Sequence, residues 1–357
     1  FGSNPCCGTI LLMEHGTPLT AEENPIIKEM VNEAYLKMIP LSVTVELTLQ
    51  CNLRCVHCYN FDRDTPLPVS DTQLTFDDWV RVFGELKAGG TLFLNFTGGE
   101  AMAHPRFWDL LDEAAKNRFA VTVLTNGSYL VPKVAERLAD HPAITTVSIS
   151  LYGTTEETHQ AITRGKVPLA RILDGIDRLR KRDVTVHLKW ILMKGNAHET
   201  EEFLALADKL DLSYMIDTTI TSRYDGEQNS LATRVEMDTL GDLYRGPLNA
   251  QLKKRELTGD PHEFRCNCAR GNAAIFSNGD VTSCIAVPLP AGNVLKQSFS
   301  EIWKSSPVFE KIRNYQGDDY KHCSPCQIRA WCRRSPGPPA ALHGDYTGID
   351  PWVCEEA

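Results

Sequence analysis

Between residues 43 and 219, short runs rich in β-branched and aromatic residues alternate with stretches of helical periodicity, and no other property restricts the fold as much. Candidate strands are 43–48, 92–97, 119–125, 144–150, 184–192 and 213–219, with helical patterns near 105–117, 131–139, 168–182 and 199–210. Between the first two strands, Thr75 and Asp78 form a capping box, and Phe76, Trp79, Val80 and Phe83 follow at the spacing of a core-facing helix. About six βα units result, too few for a closed eight-stranded barrel. The predicted fold class is therefore α/β, a partial (β/α)6 TIM-like barrel, followed by a small cysteine-rich α+β region.

In such architectures chemistry collects where the strands end, because the loops converge there. Cys51, Cys55 and Cys58 follow the first strand in LTLQCNLRCVHCYN, Thr97-Gly98-Gly99-Glu100 closes the second, Thr125-Asn126-Gly127 the third, and Ser148 to Gly153 the fourth. Three thiolates cannot close a four-iron cubane, so a tight triplet leaves one iron open for a small molecule. The glycines allow a backbone to approach a ligand closely, and Glu100 can accept hydrogen bonds from an amino group, although a Gly-Gly pair after a strand is also an ordinary turn. Ser148 and Ser150, at alternate strand positions, suit ribose hydroxyls or simply a strand end. Lys189 and Arg223 are carboxylate partners or solvated charges.

The chain has 357 residues, 42% of them apolar, enough for two or three domains with a large core. Its formal charge is -9, from 37 basic and 46 acidic residues, which leaves no basic footprint for nucleic acid or an anionic membrane and favours a small or peptide substrate. No run of 18 apolar residues occurs and no secretory signal pattern opens the sequence, so a cytoplasmic protein is expected. Twelve cysteines in a reducing compartment read as metal ligands or catalytic groups. None lies between 59 and 265, whereas Cys266, Cys268, Cys284, Cys323, Cys326, Cys332 and Cys354 crowd the last quarter. Four thiolates at such spacing suit zinc as well as iron and sulfide.

Triplet, GGE, TNG and serine strand, in this order over about residues 41–225, resemble the radical S-adenosylmethionine superfamily, whose motif is C-x3-C-x-φ-C with φ usually aromatic. His57 occupies φ here. The resemblance implies a [4Fe-4S] cluster on Cys51, Cys55 and Cys58, with S-adenosyl-L-methionine chelating the open iron and the segment Thr97, Gly98, Gly99, Glu100 near its amino group. Reductive cleavage then yields methionine and a 5′-deoxyadenosyl radical. Tyr59, Asn126, Ser148, Ser150 and Lys189 complete the implied cofactor pocket, and Tyr152 lines it or belongs to the core.

The last quarter is similar to a SPASM domain, which holds auxiliary four-iron clusters. By that resemblance Cys323, Cys326, Cys332 and Cys354 ligate the second of them. Where the family pattern has a further cysteine reaching back to the first auxiliary cluster, Pro336 stands here, leaving Cys266, Cys268 and Cys284 as its candidate ligands. The implied organisation is an N-terminal segment 1–40, a barrel 41–225, a bridging region 226–262 and an auxiliary-cluster region 263–357. Cys6 and Cys7 either reach an iron or are idle. The segment before the first strand is too short for the winged peptide-recognition domain of some relatives.

Auxiliary clusters suit a reaction in which a substrate radical must lose an electron after hydrogen abstraction. The resemblance therefore implies oxidative modification or cross-linking of a ribosomally made peptide, with a small-molecule reaction on a sugar, nucleotide or tetrapyrrole as the alternative. A flavodoxin or ferredoxin would supply electrons. Sulfatase maturation is disfavoured because Ile285 stands where those enzymes tend to place an acid. A non-enzymatic electron carrier would show no turnover of S-adenosylmethionine. Asp217, Arg223, Tyr224 and Asp225 fall at the end of the last barrel strand, where one can accept a proton or all can belong to a solvated loop.

Overall fold

A computed structural model describes residues 25–60, 73–252, 266–332 and 334–357, with two short paired strands, Met13–Glu14 and Thr17–Pro18, before them. Cys6 and Cys7 lie outside the described residues. Six parallel strands form the partial barrel: β1 (Ser42–Thr48), β2 (Phe93–Gly98), β3 (Ala120–Thr125), β4 (Ile144–Leu151), β5 (Thr185–Ile191) and β6 (Ser213–Asp217). Each lies within two residues of its expected limits.

Parallel sheets are usually apolar on both faces. These strands instead alternate. Val43, Val45 and Leu47 of β1, Leu94 and Phe96 of β2, Val121 and Val123 of β3, Val147, Ile149 and Leu151 of β4, and Val186, Leu188 and Trp190 of β5 are all buried in one core with the surrounding helices. The intervening residues are mostly polar and face a lumen, so the period of two reports an interior meant for a polar ligand rather than for packing.

The helix Phe76–Ala88 begins as its capping box predicts, with Thr75 and Asp78 exchanging hydrogen bonds. Its fully buried residues are Trp79, Val82, Phe83 and Leu86, whereas Phe76 and Val80 flank that face. The crossover from β4 to β5 carries two helices, Glu156–Thr163 and Leu169–Arg180, where one was expected. Thr155 caps the first, with Glu156 and Glu157 in its opening turn, a signal that short polar helices share with turns.

Beyond the barrel, β7 (Asn272–Ile275), β8 (Asp280–Thr282) and β9 (Gly292–Asn293) continue the same sheet, in the order β9-β8-β7-β1-β2-β3-β4-β5-β6. β7 pairs parallel with β1, from Ser42 opposite Asn272 to Val45 opposite Ile275. Ser277, just past β7, donates from its hydroxyl to the buried Glu46 at 3.0 Å and fixes that register. No helix among the described residues is long and apolar enough to cross a membrane.

Candidate active site

The loop bearing the cysteine triplet is gripped from two sides. On the inner side, Gly99 N donates to Thr48 O at 2.7 Å and Glu100 N to Gln50 O at 2.8 Å. A Cβ on Gly98 would stand 2.2 Å from Thr48 O, and one on Gly99 would stand 2.4 Å from the carbonyl oxygens of Leu49 and Gln50. Gly98 also holds a φ of +145°, where side chains are strained. The close approach these glycines permit is to the chain entering the cysteine loop. On the outer side, Arg54 N and Val56 N donate to Thr163 O and Ile162 O at 2.9 and 3.0 Å, so the short helix Glu156–Thr163 serves as a clamp.

Glu100 is 2% exposed and ties two strand ends together. Its carboxylate accepts from Thr125 Oγ1 at 2.9 and 3.0 Å, from Asn126 N at 2.9 Å and from Met102 N at 3.2 Å. Burial outweighs these bonds and pushes its pKa up to about 7. Asn126, held in this way, points its amide at Asn52 Oδ1 (3.3 Å) and Cys51 Sγ (3.7 Å). The GGE and TNG segments are thus one hydrogen-bonded unit around Cys51.

A cavity of about 750 Å³ opens above this unit. Its wall includes Cys51, Cys55, His57, Cys58, Tyr59, Thr97, Gly98, Gly99, Glu100, Asn126, Ser148, Ser150, Lys189, Asp217 and Tyr224. The residues expected from separate strand ends therefore share one chamber. Arg223 does not line it and is buried beside Tyr224. Lys189 Nζ lies 3.9 Å from Asp217 Oδ2. His57 packs against Tyr152 with ring centroids 4.9 Å apart, and Tyr59 meets Tyr224 edge-on at 5.3 Å. Burial, reinforced by the Lys189 charge, lowers His57 to about 4, so it is neutral at physiological pH. Burial raises Tyr224 well above the ordinary phenol range, so it keeps its proton.

The sequence reading omitted His187 and Asn60, which line the same cavity. His187 sits inward on β5 two residues before Lys189, is lowered to about 4 by burial and that lysine, and approaches Ser213 Oγ at 3.0 Å. The alternation in TVHLKWI carries its signal. Asn60 follows the triplet directly and carries no pattern of its own.

All ten described cysteines are thiols. Cys268 and Cys284 are buried, Cys266 Sγ lies 3.1 Å from Cys268 Sγ, and Ile285 and Ala286 after Cys284 line the cavity. Burial pushes the Cys323, Cys332 and Cys354 thiols up, and neighbouring thiolates add to this: Cys326 for Cys323, Cys323 and Cys354 for Cys332, Cys323 and Cys326 for Cys354. Such mutual repulsion is what a bound cationic centre relieves. Among the described residues no three His, Cys, Asp or Glu side chains stand as ligands of a single metal ion, whereas a cubane takes each thiolate on a different iron. The donor set fits iron-sulfur clusters, and the buried atoms His57 Nδ1, Asn60 Oδ1 and Tyr224 OH, each without a hydrogen-bond partner, fit a ligand in the chamber.

An open parallel barrel with a thiol triplet at its first strand end and a cysteine-rich extension on its sheet defines an iron-sulfur enzyme of the radical type. The family models agree: residues 45–209 match the radical SAM superfamily and residues 266–327 match the SPASM iron-sulfur cluster-binding domain, together more than half of the chain. The chain belongs to the radical SAM superfamily and carries a SPASM domain. Its cofactors are S-adenosylmethionine, the four-iron cluster that activates it, and auxiliary iron-sulfur clusters. It is 26% identical over 339 residues to the AdoMet-dependent heme synthase of Methanosarcina barkeri, covering 88% of this chain and 96% of that protein. It is 28% identical over 338 residues to the PqqA peptide cyclase of Gluconobacter oxydans, covering 88% and 90%. Its fold resembles Streptococcus suis SuiB bound to the precursor peptide SuiA, with a TM-score of 0.64, 16% identity, and coverage of 91% of this chain and 80% of that one.

Proposed function

We propose that this chain is a peptide maturase that oxidatively modifies or cross-links a ribosomally made peptide in the cytoplasm, drawing electrons from a flavodoxin or ferredoxin. The observation that carries the reading is the single chamber, whose wall includes Cys51, Cys55 and Cys58 of the barrel together with Ile285 and Ala286 of the auxiliary region, with the exposed Leu252 and Trp331 at its rim. Both rim residues are exposed apolar side chains, which suits a chain segment entering from outside. The similarity to a peptide cyclase supports the same substrate class.

In this reading the barrel spans 41–225 and the auxiliary region 263–357. Cys51, Cys55 and Cys58 hold the activating cluster, Cys266, Cys268 and Cys284 the first auxiliary cluster, and Cys323, Cys326, Cys332 and Cys354 the second. When bound, the activating cluster and S-adenosylmethionine supply a 5′-deoxyadenosyl radical that removes a substrate hydrogen. Lys189 receives the cofactor carboxylate, while Ser148 and Ser150 receive its ribose. Glu100 holds Asn126 against the loop, and His57 and Tyr59 close the wall. Asp217, facing the chamber, accepts the proton released on oxidation. Tyr224, a neutral phenol, donates a hydrogen bond to substrate, and Arg223 supports it from behind.

A second reading rests on the similarity to a heme synthase over nearly the whole chain, and makes the substrate a tetrapyrrole whose carboxylates meet Lys189. The two separate in one experiment. Reconstituted enzyme with S-adenosylmethionine and reductant is given either the short peptide encoded beside its gene or a carboxylated porphyrin. Peptide-stimulated 5′-deoxyadenosine and a peptide lighter by two hydrogens support maturation; stimulation by the porphyrin alone overturns it.

A further inference from the structure

The last candidate ligand, Cys354, lies on the helix Pro351–Glu356, the final element of the chain. That helix is fastened at both ends to the rim of the chamber. At its start, the buried Asp350 caps the helix by accepting from Trp352 N at 3.1 Å and also pairs with the buried Arg234. Arg234 NH1 reaches Asp350 Oδ1 at 3.0 Å and NH2 reaches Oδ2, while Nε and NH2 both donate to Ile220 O, at 2.9 and 2.7 Å. Ile220 belongs to the lip Thr218–Thr221, which lines the chamber. The Trp352 indole donates to Val235 O at 3.3 Å and its ring lies under the Arg234 guanidinium at 5.2 Å. At the other end, Glu356 accepts from Thr218 Oγ1 at 2.5 Å and from Tyr244 OH at 2.8 Å.

One guanidinium thus spends its fork on the helix cap and its remaining reach on a lip carbonyl, joining segments that lie 14 and 116 residues from it in the chain. The geometry points to Arg234 as a positioning residue that fixes Cys354 for the second auxiliary cluster and couples that cluster to the substrate lip. Only a planar fork can satisfy both partners together, so charge alone does not suffice. The inference rests on Cys354 being a cluster ligand, and the experiment tests that separately.

Full-length reconstituted protein is challenged with a ferrous chelator, and the kinetics of iron release are followed for wild type, Arg234→Met, Arg234→Lys, Cys354→Ser and the Arg234→Met/Cys354→Ser double variant. Thermal unfolding is recorded beside each. Arg234→Met is expected to speed one phase, of about four irons, by about tenfold or more. The same phase should quicken in Cys354→Ser, no further in the double variant, and remain fast in Arg234→Lys. An unchanged phase in Arg234→Met overturns the proposal, as does rescue by lysine. Acceleration of every phase with early melting assigns Arg234 to general stability and also overturns it. Should Arg234→Met not fold, Asp350→Asn, which keeps the cap and the volume, is held to the same criterion. A Cys354→Ser protein that releases iron like wild type shows instead that the ligand assignment is at fault.

Discussion

Replacing Glu100 with glutamine should reverse the sign of its effect on stability as pH rises. The carboxyl is 2% exposed and titrates near 7, against 4.5 in an open chain. Between those values the folded protein holds a proton that the unfolded chain has lost, so native stability falls as pH climbs through the window. At about 1.4 kcal/mol per unit, the interval amounts to about 3 kcal/mol. Glutamine cannot ionise and escapes this loss. It does present an NH2 where donors from Thr125, Asn126 and Met102 converge, a mismatch of about 1–2 kcal/mol at every pH. The variant should therefore be less stable than wild type near pH 5 and more stable near pH 8. Urea unfolding of the iron-free proteins across that range measures the difference directly, and the histidines cancel because both proteins contain them. A difference that stays constant with pH would refute the account of Glu100 as a buried acid that burial keeps protonated.

Gly98→Ala places a Cβ 2.2 Å from Thr48 O at a φ of +145°, and should cost about 3 kcal/mol or more and strip iron from the triplet, read by urea midpoint and iron content. Lys189→Met should raise the dissociation constant for S-adenosylmethionine about tenfold by calorimetry, the equivalent of one charge-assisted hydrogen bond. His187→Asn should make the protein more acid-tolerant: with the imidazole held near 4 against 6.5 when unfolded, wild-type stability is present above 6.5 and is lost as pH falls through 4, and asparagine removes that loss.

The barrel was legible because two local signals agreed. Runs such as SVTVELT and TVHLKWI combine β-branched residues with strict alternation, and Thr75 with Asp78 marks a helix start by chemistry that needs no distant partner. The cysteines, GGE, TNG and the serine strand were legible as strand-end residues, which the topology then gathered. What escaped depends on distant pairing. The run NAAI is too short to name its partner, yet it docks on a strand some 230 residues earlier. The anchor at Glu100 escaped likewise, because its hydrogen bonds come from a turn 25 residues on. The Gly-Gly pair suggested proximity to a ligand, and its tightest neighbours are instead the carbonyls that shape the cysteine loop.

That late-pairing strand also bears on how the cysteine groups are held apart. β1 carries the triplet beyond its end, and β7 lies hydrogen-bonded along its other edge. Cys284 follows β8 by two residues, and β8 is locked to β7 through Val281 opposite Ile275 and Thr282 opposite Ala274. The path from Cys51 to Cys284 therefore runs through sheet hydrogen bonds and the Ser277 to Glu46 contact. A one-residue slip of β7 would turn Ala273 and Ile275 out of the core and move β8, with Cys284 and the chamber-lining Ile285 and Ala286 beyond it, out of place together, so register protects the spacing. The rest of the chamber wall comes from parts outside the sheet: the lip Thr218–Thr221 after β6, Val353 and Glu356 of the helix bearing Cys354, and the exposed Leu252 and Trp331.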